Sequence, residues 1–189
     1  MVIFGEPDKA MGILAGRVAN GRGGIDKGSM VSVVKELRTQ RSTAEDTTPP
    51  GIVLVNVGQL HWWPDEKRGL TASASSAIPL PSLVHAGRRY NKKLNKVEQH
   101  ETPAMHTRYV FNEVLAKMVG ERAVIDVVAI GDTCTMVEKF LDSENVWDVW
   151  GHRLSSILLM DTICDVNTLT NSSFKDFLAK VRIPDSSVS

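Results

Sequence analysis

Cysteine is scarce in this 189-residue chain: Cys134 and Cys164 are the only two. Both sit in apolar segments, where a free buried thiol is the expected state, and two cysteines cannot build a disulfide framework. Long apolar runs are also missing. No stretch approaches the roughly 18 residues that a bilayer-spanning helix needs. The opening Met1-Val-Ile-Phe-Gly-Glu-Pro7 is too short an apolar run for a signal peptide. An intracellular protein is expected, in nucleus or cytoplasm. Net charge is absent as well, with 22 Lys and Arg against 22 Asp and Glu. A neutral chain offers no global attraction to nucleic acid or an anionic membrane. Hydrophobic residues at 42% and charged residues at 23% place it among ordinary globular domains.

What is present reads as one α/β domain over residues 1–182, with a long loop over 58–101 and a frayed polar tail over 183–189. Ile13 to Val18 reads as a first strand, followed by the glycine-rich turn Asn20 to Gly24. Ser29 then caps a helix with Met30, Val33, Val34 and Leu37 on one face. Residues 39–50 are polar and end in Pro49-Pro50, an exposed connection. Gly51-Ile-Val-Leu-Val-Asn56 is short, continuous and β-branched, as in a strand buried on both faces. Gly58 to Glu101 has no clear period, with one short strand expected near Ser82 to His85.

Thr102-Pro103 is a helix start, with Phe111, Val114, Leu115 and Met118 as its buried stripe and Gly120 as its stop. Val124 to Ile130 is the second buried strand, and Gly131 to Thr135 turns directly into a helix. A short helix at Val146 to Trp150 leads to a strand at Leu154 to Met160. Ser172 caps the last helix, with Phe174, Phe177 and Leu178 facing inward. Strands alternating with helices imply a three-layer sandwich around a short, mostly parallel sheet, covered on both faces.

Catalytic groups fall short of a set. The strand–Gly131-x-Thr133-x-Thr135–helix segment parallels the Gly-x-Ser-x-Gly elbow, with Asp132 and Thr133 at the turn and Thr133 in the nucleophile position. Thr135 replaces the second glycine, which argues against a sharp elbow. The only histidine after Thr133 is His152, ahead of the candidate acids Asp161 and Asp165. A threonine without a base within reach is a poor nucleophile. A small ester or amide hydrolase using Thr133, with His61 or His85 as base, is the alternative reading.

Asn56-Val57-Gly58-Gln59 stands where an oxyanion loop would follow a central strand. His61-Trp62-Trp63 comes next, and adjacent tryptophans cannot both face one core. One packs inward and the other is left for a cleft or a partner. Gly16 to Gly24 lacks the lysine and hydroxyl of a phosphate loop. Arg88 to Lys96 carries five basic residues, including Arg88 and Arg89, a weak candidate for nucleic acid. His100 and His106 have no third ligand in view, so no metal is expected, and no cofactor.

The run Gly51 to Pro64, with Lys67-Arg68-Gly69-Leu70-Thr71, Ile78 to His85, Thr102 to His106 and Val128 to Asp132, resembles the fungal branch of the Argonaute-binding, Arb-type domain family. The resemblance implies a reduced α/β-hydrolase-like fold, related to the C-terminal domain of class II histone deacetylases. It further implies a hydrolase-like scaffold reused for protein association in gene silencing or chromatin, and the incomplete catalytic set makes a degenerate one the expectation here. The expected contact surface is the rim above the sheet, formed by Gly58, Gln59, His61, Trp62 and Trp63 together with Asp132 and Thr133, with Arg88 and Arg89 as further binding candidates.

Overall fold

The computed structural model describes residues 1–79, 90–161 and 165–181. The expected strand at Ser82 to His85, Arg88, Arg89, Cys164 and the tail 183–189 lie outside these residues. A four-stranded parallel sheet has the order β2-β1-β5-β6, where β1 is Val2–Phe4, β2 Val53–Val55, β5 Ile125–Ile130 and β6 Leu154–Met160. Helices flank it, which makes the domain a small α/β sandwich.

The strand at the centre of this order, β1, is one the periodicity does not reveal. Its three residues are all buried, at 2%, 3% and 0% exposure, because a strand between two neighbours presents apolar side chains to both layers. The expected strand at Ile13 to Val18 is instead a turn plus a helix, α1 (Gly16–Ala19), with Ile13 making a single bridge to Ser29. The run at Gly51 to Asn56 forms β2, but at the edge of the sheet rather than its centre.

One face of the sheet carries the core. Val2, Phe4, Val55, Val127, Ala129 and Ile157 point into it. They meet a helical rod made of α6 (Pro103–Tyr109), a π-helical stretch Val110–Leu115 and α7 (Ala116–Met118). Helices α8 (Thr133–Leu141) and α9 (Glu144–Trp150) complete that layer. Phe111 is the hub: its ring stacks 5.6 Å from Phe4 and lies 4.8 Å from Phe140 and 5.3 Å from Trp150. The closing helix α10 (Ser172–Val181) brings Phe174 to 4.9 Å from Trp147. Its cap is Asn171, whose Oδ1 accepts the Phe174 amide at 2.9 Å, one residue before the expected Ser172.

Thr102 caps α6 as expected, accepting from the Met105 amide. The expected stripe breaks at its end, however, since Met118 is 75% exposed while Val119 packs on the core. The π-helical turn inserts one residue into the ladder and rotates everything after it by about 100°. On the opposite sheet face, Ile3 and Leu54 lie beneath α3 (Met30–Leu37), whose start is capped by Ser29 as expected. Coverage of that face is incomplete: Leu158 and Met160 on β6 remain exposed, as does Val33 on α3.

The described parts of this stretch, residues 58–79 and 90–101, are not the loop expected from their lack of period. They contain an antiparallel hairpin, β3 (His61–Trp63) and β4 (Arg68–Leu70), and two short helices, α4 (Ala72–Ser76) and α5 (Lys92–Asn95). Helices α2 (Gly24–Gly28) and α1 fill the connection from β1 to α3.

Candidate functional site

In an open parallel sheet, ligands gather outside the carboxyl ends of the strands, where the strand order reverses. Here that point lies between β1 and β5, and two turns meet across it. Strand β5 is followed by Gly131, whose backbone is left-handed at φ +63°, and α8 begins two residues later. A left-handed residue at a strand-to-helix turn is its apex, and only glycine takes that shape without strain. A Cβ at Gly131 would meet Glu6 Cγ at 2.9 Å. The apex therefore has no side chain to project.

Thr133, two residues on, points inward. It is fully buried, and its hydroxyl donates to the Gly5 carbonyl at 2.6 Å. That bond ties the β5 turn to the β1 turn. No histidine bonds to Thr133 among the described residues, where His61, His100 and His106 have other partners. Cys134 is equally structural. Its thiol donates to the Ala129 carbonyl at 3.2 Å, and burial pushes its pKa up, away from the reactive thiolate.

The loop facing the elbow is Gly5 to Lys9, not Asn56 to Gln59, because β1 rather than β2 neighbours β5. Asn56 to Gln59 instead packs against that loop. A Cβ on Gly58 would meet the Lys9 carbonyl at 2.0 Å, so only glycine allows the approach. Gln59 Oε1 accepts the Met11 amide at 3.0 Å, and the Asn56 side chain accepts the Gln59 amide at 3.2 Å. Glu6 and Lys9 form an ion pair on the same rim.

The hairpin then separates the two tryptophans by strand alternation. Trp63 is 4% exposed, whereas Trp62 is 39% exposed and stands in register with Gly69 on the paired strand. Trp62 forms one wall of a cleft of about 210 Å³, shared with Asn56, Gln59, Leu60, His100 and His106. The two histidines, remote by helical phase, are brought together with their Nδ1 atoms 2.7 Å apart, and Tyr109 lies edge-on to His100 at 4.4 Å. Burial first, and then the neighbouring His100, depress His106 to a pKa of about 4, so it is neutral at physiological pH. His61 points elsewhere, Nδ1 against the Ser75 hydroxyl at 2.9 Å and ring against Tyr90 at 4.5 Å. Its pKa is lowered by burial and by Lys96.

Helix α6 divides this cleft from a second one. His106 faces the first, while Ala104 and Arg108 line the second, with Asp132, Thr135, Met136 and Lys139, at about 460 Å³. Asp132 is exposed at the head of α8 and caps none of its amides. Among the described residues no group of three or more His, Cys, Asp or Glu side chains could hold a metal ion, and no helix is long and apolar enough to cross a membrane.

A family model for the Arb2 domain matches residues 1–182. The chain belongs to the Arb2 domain family. No curated protein and no solved structure gives a significant match. In this Arb2 domain the features a sequence reading overlooks are the β1 turn, Gly5 to Lys9, and the His100–His106 pair. The turn follows a strand only three residues long, and the histidine contact joins α6 to a loop with no periodic signal.

Proposed function

We propose that this Arb2 domain is a catalytically degenerate α/β-hydrolase-like scaffold that binds a protein partner through the rim carrying Trp62. The observation that carries the proposal is the elbow. A hydrolase of that fold presents its nucleophile from the apex of the turn after the elbow strand, beside an oxyanion loop on the neighbouring strand. Here the apex is Gly131, and the Thr133 hydroxyl is spent on the Gly5 carbonyl. Thr133 is fully buried, and no described histidine bonds to it, so among the described residues it has neither the access nor the base of an activated hydroxyl. Across α6 from the elbow lies the open cleft in which a half-exposed indole shares the walls with the His100 and His106 imidazoles and two side-chain amides. An exposed indole over a shallow mixed cleft is the composition of a binding hot spot.

Membership in the Arb2 family adds the setting, association with Argonaute-type silencing factors, as its likeness to the Argonaute-binding domains implies. Purified Argonaute from the same cells is the direct test. Trp62→Ala is expected to weaken capture by at least about tenfold, with an unchanged melting temperature, because Trp62 is not part of the hydrophobic core. Capture that survives the substitution sinks the rim assignment. A panel of activated esters tests the degeneracy. Wild type and Thr133→Val should both run at the uncatalysed rate, and turnover that disappears in the variant would make the domain an enzyme.

A further inference from the structure

A second surface lies at the other edge of the elements described so far, where β2 ends the sheet. In β2, Val53 donates its amide to the Met1 carbonyl and the Val55 carbonyl accepts from Gly5, so residues 53 and 55 face β1. Alternation then turns the Leu54 N–H and C=O outward. No backbone bond from outside the sheet reaches them among the described residues. An edge with unpaired amides is a template for another strand, and proteins ordinarily blunt it with charge, proline or a cover. Leu54 is none of these.

The Leu54 side chain is also the floor of a groove of about 430 Å³. One wall is the face of α3 that carries Val31, Val34, Lys35 and Arg38, the i, i+3, i+4, i+7 stripe of a helix. The other wall is Met11 and Ile25, both more than half exposed. Apolar side chains of this size do not stay exposed around an open edge without consequence. The groove's charged groups, Lys35 and Arg38, share one sign. Lys35 is paired with Asp26 at 2.8 Å, but the Arg38 guanidinium makes no ion pair or hydrogen bond among the described residues.

We propose that this edge takes an extended acidic segment of a partner protein, added as a strand beside β2. Main-chain bonds to Leu54 set its register, alternate aliphatic side chains enter the groove, and a carboxylate reaches Arg38. A second copy of the chain fits less well. Pairing β2 with β2 across a two-fold axis brings the Lys35 and Arg38 stripes of both copies to one seam, where like charges repel. The inference rests on the reading of the domain as a protein-binding module, but not on the Trp62 rim.

The test is selection of ten-residue peptides from a random display library on the whole chain, followed by titration of the enriched synthetic peptide. Enriched sequences should alternate aliphatic residues with Asp or Glu, and binding should protect the Leu54 amide from hydrogen exchange. Arg38→Glu should weaken binding by about tenfold, Val31→Glu should do the same from the apolar wall, and Trp62→Ala should leave it unchanged. Both charged substitutions fall on exposed positions, so the fold is retained. Enrichment without acidic bias, no enrichment, or affinity indifferent to Arg38→Glu would overturn the proposal. Self-association in the ultracentrifuge that Val31→Glu abolishes would give the edge to a second copy and overturn it too. Loss of Argonaute capture in Trp62→Ala with no enriched acidic strand would leave the rim reading standing and this one alone refuted.

Discussion

The Thr133 hydroxyl and the Gly5 carbonyl are a mutually dependent pair. Thr133 is fully buried, and removing its hydroxyl takes from the Gly5 carbonyl the side-chain donor it has among the described residues. Thr133→Val keeps the shape and loses the bond, at an expected cost of about 1–3 kcal/mol in urea unfolding. A cost near zero would mean that water already serves Gly5. His106 gives a second residue-scale prediction, in pH. Its folded pKa is about 4, below the ordinary imidazole value. Between pH 6.5 and 4 the unfolded chain therefore takes up a proton that the folded one refuses, and stability falls as pH falls. The ring is part-exposed, which reduces the effect to about 1–2 kcal/mol. His106→Gln should flatten the stability profile between pH 7 and pH 4; a slope unchanged by the substitution would assign the pH dependence to other groups.

At the scale of the element, the π-helical turn at Val110–Leu115 decides which residues are core. Thr107, just before it, donates its hydroxyl back to the Pro103 carbonyl at 2.9 Å. The wider turn keeps Phe111 and Leu115 inward and then hands the inward position from Met118 to Val119. Met118→Lys should shift stability by no more than about 0.5 kcal/mol, while Leu115→Ala should cost about 2–5 kcal/mol. A large penalty for Met118→Lys would restore the uninterrupted α-helical stripe that the sequence spacing predicts. This element shows the limits of pattern reading. Thr102-Pro103, Ser29 and Gly131 were legible because caps and turns are local chemistry, carried by one residue and its immediate neighbours. The long strands β5 and β6 were legible from their apolar runs. The π insertion has no residue signature of its own, and β1 is too short to show a period. Missing β1 displaced the candidate site, since the loop opposite the elbow is the one that follows β1.

Across the whole molecule, the hydrophobic core and the rim that carries Trp62 are not the same unit. The core cluster joins the parallel sheet to the α6–α7 rod, α8, α9 and α10, whereas Trp63 and Leu70 are buried outside it. The hairpin that carries Trp62 is held by a few polar ties, among them Asn95 Nδ2 to the Trp62 carbonyl at 2.7 Å and Gln59 Nε2 to the Gly69 carbonyl at 3.5 Å. A two-stranded ribbon is marginal by itself, so its stability is borrowed from these contacts and from the tight seat of Gly58. Such a unit opens without global unfolding. Amides of His61–Trp63 and Arg68–Leu70 should exchange at least about tenfold faster than those of Val127 to Ala129, with little dependence on denaturant. Asn95→Ala should widen that gap without changing the exchange of β5, because it removes a tie to the hairpin and nothing in the core. Partner binding at Trp62 should then close the gap, which couples recognition to ordering of the rim. Equal exchange in both units, rising together with denaturant, would mean that the hairpin and the sheet open as one body and that the rim is preorganised rather than ordered by its partner.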